Sequence, residues 1–351
     1  MKNSVYMLIA ANVVDGTAVF SSFVAVQAKS LERAGWTVRL GLVDDRTSVR
    51  GVVRNLNRML REIAAERPAV VHAQYGSVLS LISVLAKGSA PLIVSLGGAD
   101  LVGSKNSGVV WFLRDSFGRF FSLFAAYRAA AVVVKSENLY LSLPRPLRSK
   151  TLILPNGVNT DVFRPLDKAQ CRTQLGWSAT SKIVLFNANK SDNRIVKNPE
   201  LASTALDFAR QSFATTELHQ ISNLKQSEVA VRMNAADCLL LTSLSEGSPN
   251  IVKEAMACNL PVVSVACGDV SERTRQTFPG AVCPYDSRSL GEALIEVFRS
   301  QRRSNGREQL EAQGLTDREV AQKLLRLYTL VQGPAHQVKQ KLSSLCVESR
   351  V

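Results

Sequence analysis

Short apolar runs and longer mixed stretches alternate along most of this chain. Residues 5–11, 37–43, 69–73, 91–96, 129–134, 151–154, 182–189, 238–242 and 261–265 are runs dominated by Val, Ile, Leu and Ala, with a more polar example at 217–221. Continuous runs of that length are the signature of strands covered on both faces. The stretches between them place apolar residues three and four apart, as amphipathic helices do. The pattern predicts helices over 18–34 (ending at Gly35), 199–210, 225–235, 289–300 and 317–331. Strand and helix taken in turn give an α/β chain of βαβ units with parallel sheets.

The most informative stretch is 245–261, Ser-Glu-Gly-Ser-Pro-Asn-Ile-Val-Lys-Glu-Ala-Met-Ala-Cys-Asn-Leu-Pro, between two of the buried runs. Ser248 stands where an N-cap belongs and Pro249 where the first helical residue belongs. Asn259 and Pro261 supply the stop. The spacing predicts a helix of about ten residues, roughly 15 Å long, whose first N–H groups point to the carboxyl edge of a parallel sheet, an anion site. Glu246 and Glu254 bracket it. Carboxylates accept hydrogen bonds from hydroxyls, so two acids beside a phosphate-sized site suit a ligand with both phosphate and hydroxyls, such as a nucleotide sugar. A plain helix cap with a first-turn acid explains the same spacing.

Length and charge refine the picture. At 351 residues the chain exceeds one ordinary core and fits two domains. Its 46% hydrophobic and 21% charged residues are those of a globular protein, and no apolar run approaches a membrane span. Residues 5–11 could imitate a signal-peptide core, but they lead straight into Asp15-Gly16 and a helix, so they read as the first strand. The six cysteines form no Cys-x-x-Cys pair, which favours reduced, cytoplasmic thiols. Net charge is +14, unevenly spread: residues 1–165 hold 20 Lys and Arg against 10 Asp and Glu. Arg46, Arg50, Arg54, Arg58 and Arg61 recur at helical spacing, and residues 111–127 interleave Phe112, Phe117, Phe120, Phe121 and Phe124 with Arg114 and Arg119. Each stretch reads either as an ordinary helix face or as a surface for anionic lipid.

Residues 246–254, Glu-Gly-Ser-Pro-Asn-Ile-Val-Lys-Glu, with the Ala-Met-Ala-Cys-Asn-Leu-Pro-Val-Val that follows, resemble the donor-site signature of family 4 glycosyltransferases of the GT-B fold. Residues 154–165, Leu-Pro-Asn-Gly-Val-Asn-Thr-Asp-Val-Phe-Arg-Pro, are similar to that family's segment joining its two domains. The resemblance implies two Rossmann-like domains whose parallel sheets face an interdomain cleft. Residues 1–160 would be the acceptor-binding domain, 161–335 the nucleotide-sugar-binding domain and 336–351 a polar tail. In family terms Glu254 accepts from ribose hydroxyls and Glu246 from sugar hydroxyls. The 247–251 stretch (Gly247, Ser248, Pro249, Asn250 and Ile251) holds the distal phosphate. Lys197, with Lys190 or Arg194, stabilises the diphosphate. His72, in a His-x-x-Tyr-Gly stretch, and Asp100, in a Gly-x-Asp turn, match positions near the reacting sugar, and Gly16 matches the second glycine of a donor-contacting turn. Two departures stand out: Asp15 replaces the first glycine of that turn, and Gly97 replaces a histidine that contacts the sugar.

The activity so implied is retaining transfer of a sugar from a UDP- or GDP-linked donor to a saccharide or lipid-linked hydroxyl acceptor, as in bacterial surface-polysaccharide or glycolipid assembly. No cofactor and no metal are expected, since no Asp-x-Asp motif occurs and cations take the metal's place. The expected location is cytoplasmic, peripheral on the inner membrane face through the basic first domain. A nucleotide-sugar epimerase of the same architecture is the alternative reading. Nucleic-acid binding, suggested by the basic charge, lacks any zinc-finger, RNA-recognition or helix-turn-helix signal.

Overall fold

The structure, a computed structural model, describes residues 3–14, 17–103, 109–187 and 194–334, together with Val338, Lys341, Leu342 and Leu345. The chain divides into two compact units, one formed by Met1–Gly157 with Asp317–Val351 and the other by Val158–Thr316.

The first unit is built on a six-stranded parallel sheet. Its strands are β1 (Ser4–Ala10), β4 (Thr37–Val43), β5 (Val70–Ala73), β6 (Leu92–Leu96), β7 (Ala131–Val134) and β8 (Thr151–Ile153), in the order β4-β1-β5-β6-β7-β8. Two short strands, β2 (Asn12–Val14) and β3 (Thr17–Val19), pair as an antiparallel hairpin, Val14 opposite Thr17. The period-two geometry of a strand sends alternate side chains to opposite faces. Tyr6 and Leu8 of β1 accordingly join one core cluster, with Val71 and Val94, while Val5, Met7 and Ile9 join the other, with Val70 and Ile93. Both faces are covered, which is why these strands read as unbroken apolar runs.

The second unit carries five parallel strands: β9 (Lys182–Asn187), β10 (Thr216–Ile221), β11 (Cys238–Leu241), β12 (Val262–Val265) and β13 (Ala281–Cys283), in the order β10-β9-β11-β12-β13. The chain leaves β9 toward one edge to form β10, then returns past β9 to place β11 on its other side. The loops that follow β9 and β11 therefore diverge at their carboxyl ends. That opening is where ligands settle in doubly wound sheets.

Three expectations are corrected. The first helix is Ser22–Arg33, not 18–34, because Thr17–Val19 forms a strand paired with Asn12–Val14. The first unit ends at Gly157, close to the expected boundary, but the helix Asp317–Val331 belongs to the first unit and does not close the second. Its Val320, Leu324, Leu327, Tyr328 and Val331 are buried in the same cluster as Val5, Met7, Ile9 and Trp36. Nor is the end of the chain simply a polar tail, since Val338 and Leu342 are buried in that cluster too.

Leu327 is fully buried. Leu327→Ala should cost about 2–5 kcal/mol in urea unfolding. Hydrogen exchange should accelerate in β1 and β5 while β9 and β11 keep their protection, placing the helix in the first unit.

Candidate active site

The loops after β9 and β11 are tied to one another by short hydrogen bonds. Thr242, one residue past β11, donates its hydroxyl to the carbonyls of Lys197 at 2.8 Å and Asn198 at 2.9 Å. The Leu244 N–H donates to the Val196 carbonyl at 2.7 Å. Asn198 takes a left-handed φ of 50°, a conformation asparagine tolerates better than most residues, and turns the chain into the helix Pro199–Arg210. This bracing leaves Lys197 facing the turn after β11, where its ammonium pairs with the Glu246 carboxylate. Both side chains are largely buried, at 12% and 19% exposure, so the pair is screened little by solvent.

The same turn is supported from the other side by the loop after β12. Gly268 has a φ of +57°, and a Cβ there would lie 2.9 Å from the Gly247 carbonyl oxygen and 3.0 Å from that of Glu246. Only glycine allows both the left-handed backbone and this approach. Asp269, next in the chain, is buried and accepts from Arg273 Nε at 2.9 Å.

The helix of this site is Asn250–Ala257, with Pro249 at the cap position. It starts one residue later than the sequence predicts, so Pro249 and not Ser248 is the boundary residue, and no side chain caps the helix from that position. Ile251, Val252, Ala255 and Met256 seat the helix in the core of the second unit. The Val252 N–H bonds back to the Pro249 carbonyl at 3.3 Å, and the helix start follows directly on Gly247 and Ser248. Glu254 is half-buried. Burial pushes its carboxyl up to about 7, against the pull of Lys253.

The second unit thus brings together Lys197, Glu246, Gly247, Ser248, Pro249, Asn250, Ile251 and Glu254. Arg194 opens the short helix Arg194–Lys197, but its side chain lies outside the described residues, as do Lys190 and Gly16.

His72 and Asp100, both in the first unit, are placed differently from expectation. His72 is fully buried, with Nδ1 2.6 Å from the Tyr328 hydroxyl and Nε2 2.8 Å from Ser95 Oγ. Both ring nitrogens are engaged, and burial lowers its pKa to about 3, so it stays neutral and joins β5 to β6 and to the helix Asp317–Val331. Asp100 is also buried and accepts from the N–H groups of Gly76 at 2.9 Å, Gly97 at 3.0 Å and Gly98 at 2.8 Å. It fastens the turns after β5 and β6 to each other. Gly97 is exposed, and a Cβ there would meet only the Tyr75 ring, at 3.6 Å. Packing therefore does not impose glycine at this position.

Sequence reasoning missed Lys253, whose Nζ donates to Ser248 Oγ at 3.1 Å and whose side chain is 1% exposed. Its signal was present: Lys253 lies three and four residues before Met256 and Ala257, on a face that packs inward.

A family profile described as Glycosyl transferases group 1 matches residues 205–300, which include β10, β11, the 246–254 stretch and β12. An uncharacterized glycosyltransferase of Methanocaldococcus jannaschii is 23% identical over 248 residues, 68% of each chain. A solved sucrose-phosphate synthase of Thermosynechococcus elongatus shares the fold with a TM-score of 0.74 at 17% identity, over 93% of this chain and 98% of the other. Together these matches support a glycosyltransferase of the family 4 type on the GT-B fold. HepE of Anabaena, solved with UDP and glucose, shares that fold with a TM-score of 0.62 at 14% identity, over 98% and 99% of the two chains.

In this glycosyltransferase the raised Glu254 pKa carries a stability signature. Below the ordinary value of 4.5 the carboxyl is protonated in both folded and unfolded chains. Between 4.5 and about 7 the unfolded chain ionises while the folded one holds its proton, so stability falls as pH rises through that window. Glu254→Gln should remove this part of the decline in a plot of Tm against pH from 4 to 8.

Proposed function

We propose that the enzyme transfers a sugar from a nucleoside-diphosphate sugar, UDP- or GDP-linked, to a hydroxyl acceptor with retention of anomeric configuration. The observation that carries this reading is the Lys197–Glu246 pair, braced at the divergence of β9 and β11 and set before the helix Asn250–Ala257. The complex of Anabaena HepE with UDP and glucose supports a nucleotide-linked donor on this fold.

In this scheme the helix start and the Lys197 ammonium hold the diphosphate. Glu246 accepts from hydroxyls of the transferred sugar and Glu254 from those of the ribose. As the bond from the sugar's anomeric carbon to the phosphate oxygen breaks, negative charge grows on the diphosphate, and Lys197 is placed to stabilise it more in the transition state than in the ground state. The acceptor oxygen bonds to the same carbon and gives its proton to a leaving phosphate oxygen. No side chain has to act as general base, in keeping with a His72 whose nitrogens are already engaged. The scheme uses no metal.

The acceptor is assigned to the basic first unit, with a lipid-linked saccharide on a cytoplasmic membrane face as its class. The helix Val109–Arg128 supports this. Phe117, Phe120, Phe124 and Tyr127 are 62%, 63%, 40% and 52% exposed, and their spacing puts them on one face. Arg114, Arg119 and Arg128 are exposed on the same helix. An aromatic stripe bordered by arginines suits the boundary between acyl chains and anionic headgroups. No described helix is long and apolar enough to cross a membrane.

Lys197→Ala should lower kcat by roughly 10²–10³, about 3 kcal/mol by analogy with losing an oxyanion donor, when turnover of UDP- and GDP-sugars is followed with a polyprenyl-phosphate-linked saccharide as acceptor. Near-normal turnover would remove Lys197 from the mechanism, and sugar conversion without any acceptor would point to epimerisation. The full chain should also co-sediment with phosphatidylglycerol vesicles at low salt. Replacing Phe117, Phe120 and Phe124 together by Ser should abolish that binding, and equal sedimentation of the two proteins would contradict the membrane assignment.

A further inference from the structure

Lys253 is the least exposed charged side chain among the described residues, at 1%. It sits on the inward face of the helix Asn250–Ala257, behind the turn that carries Glu246, Gly247 and Ser248. A lysine so placed loses most of its hydration, and burial lowers its pKa to about 8. The charged groups around it are Asp269 and Arg273, from the loop and short helix after β12, and Glu254 on its own helix. Asp269 is already held by Arg273 Nε at 2.9 Å, so its charge is shared between two cations. Lys253 Nζ donates to Ser248 Oγ at 3.1 Å.

The direction of that bond is fixed by chemistry. An ammonium has three hydrogens and no lone pair, whereas a serine hydroxyl has one hydrogen and two lone pairs. Lys253 must donate and Ser248 Oγ must accept, so the single hydroxyl hydrogen of Ser248 points away from the lysine. Ser248 is half-buried and lies two residues before the helix. From there its hydrogen can be given to an anion resting on the helix start.

Building on the donor site proposed above, we infer that Lys253 is a positioning residue for donor binding: it holds the Ser248 hydroxyl in the donating orientation and so adds a directed hydrogen bond to the diphosphate. Lys253 does not touch the donor itself. Deprotonating it, or replacing it with an apolar side chain, frees Ser248 to turn its hydrogen elsewhere and weakens the grip on phosphate without disturbing contacts to the nucleoside.

The test is calorimetric titration of UDP, GDP, uridine and guanosine into the full-length protein, the Lys253→Met variant, the Ser248→Ala variant and the double variant, from pH 7.5 to 9.5. This range is above the last ionisation of a nucleoside diphosphate, about 6 by analogy with other phosphate monoesters. A hydrogen bond to a charged group is worth about 1.5–3 kcal/mol, so both single variants should lose about tenfold or more in affinity for the diphosphate and little for the nucleoside. The double variant should lose no more than either single one. Affinity of the wild type should fall between pH 7.5 and 9.5, and that fall should vanish in Ser248→Ala. This last arm decides the matter even if Lys253→Met folds poorly. Unchanged diphosphate affinity in Lys253→Met, an equal loss for nucleoside and diphosphate, or a pH dependence that persists in Ser248→Ala would overturn the positioning role while leaving the donor site intact. A wild type that binds neither UDP nor GDP would overturn the donor site itself.

Discussion

The arrangement in the second unit depends on holding two loops together where two adjacent strands let them part. β9 and β11 are neighbours in the sheet, but the chain between them runs through β10 at the edge, so the backbone after each strand has no ladder partner. Thr242 and the Leu244 N–H supply the missing bonds to residues 196–198. With these bonds in place a lysine from one loop meets a glutamate from the other. An ion pair this buried contributes little net stability, since desolvation offsets most of the attraction. Its placement is the observation on which the proposed donor site rests.

The two units illustrate opposite uses of buried polar groups. His72 and Asp100 of the first unit have their hydrogen-bonding capacity taken up by neighbours: the histidine by Tyr328 and Ser95, the aspartate by three backbone N–H groups. Groups so engaged rigidify the carboxyl ends of β5 and β6 and shape whatever binds there indirectly. In the second unit, Glu246, Glu254 and Lys197 keep part of their surface open, and the tightly packed elements stand behind them. Gly268, pressed against the Glu246–Gly247 backbone, is a passive support of this kind.

Much of the site was legible because its members are close in sequence. Seven of the eight residues gathered in the second unit, all but Lys197, lie between 246 and 254 in one turn and one short helix, so local spacing alone placed both acids around the helix start. Lys197 lies about fifty positions upstream, and no local rule brings it to Glu246; it was reached through family resemblance, and the geometry then supplied the contact. Lys253 was overlooked for a different reason. A lysine in a helix is usually solvated, and its inward orientation becomes evident only when the apolar positions at 256 and 257 are weighed against its charge. The burial of His72 was not legible, because a strand end looks the same in sequence whether the next layer covers it or not.

The sequence alone determined the parallel α/β class and ten of the eleven strands of the two parallel sheets. These follow from short-range periodicity and turn chemistry, which neighbouring residues enforce on one another. Tertiary structure decided what those rules leave open: that Asp317–Val331 returns to the first unit, that His72 is sealed beneath it, and that Lys197 faces Glu246. Each is a choice among partners for a surface already formed. An amphipathic helix states that it must bury one face, but which core receives that face depends on complementarity with side chains hundreds of residues away.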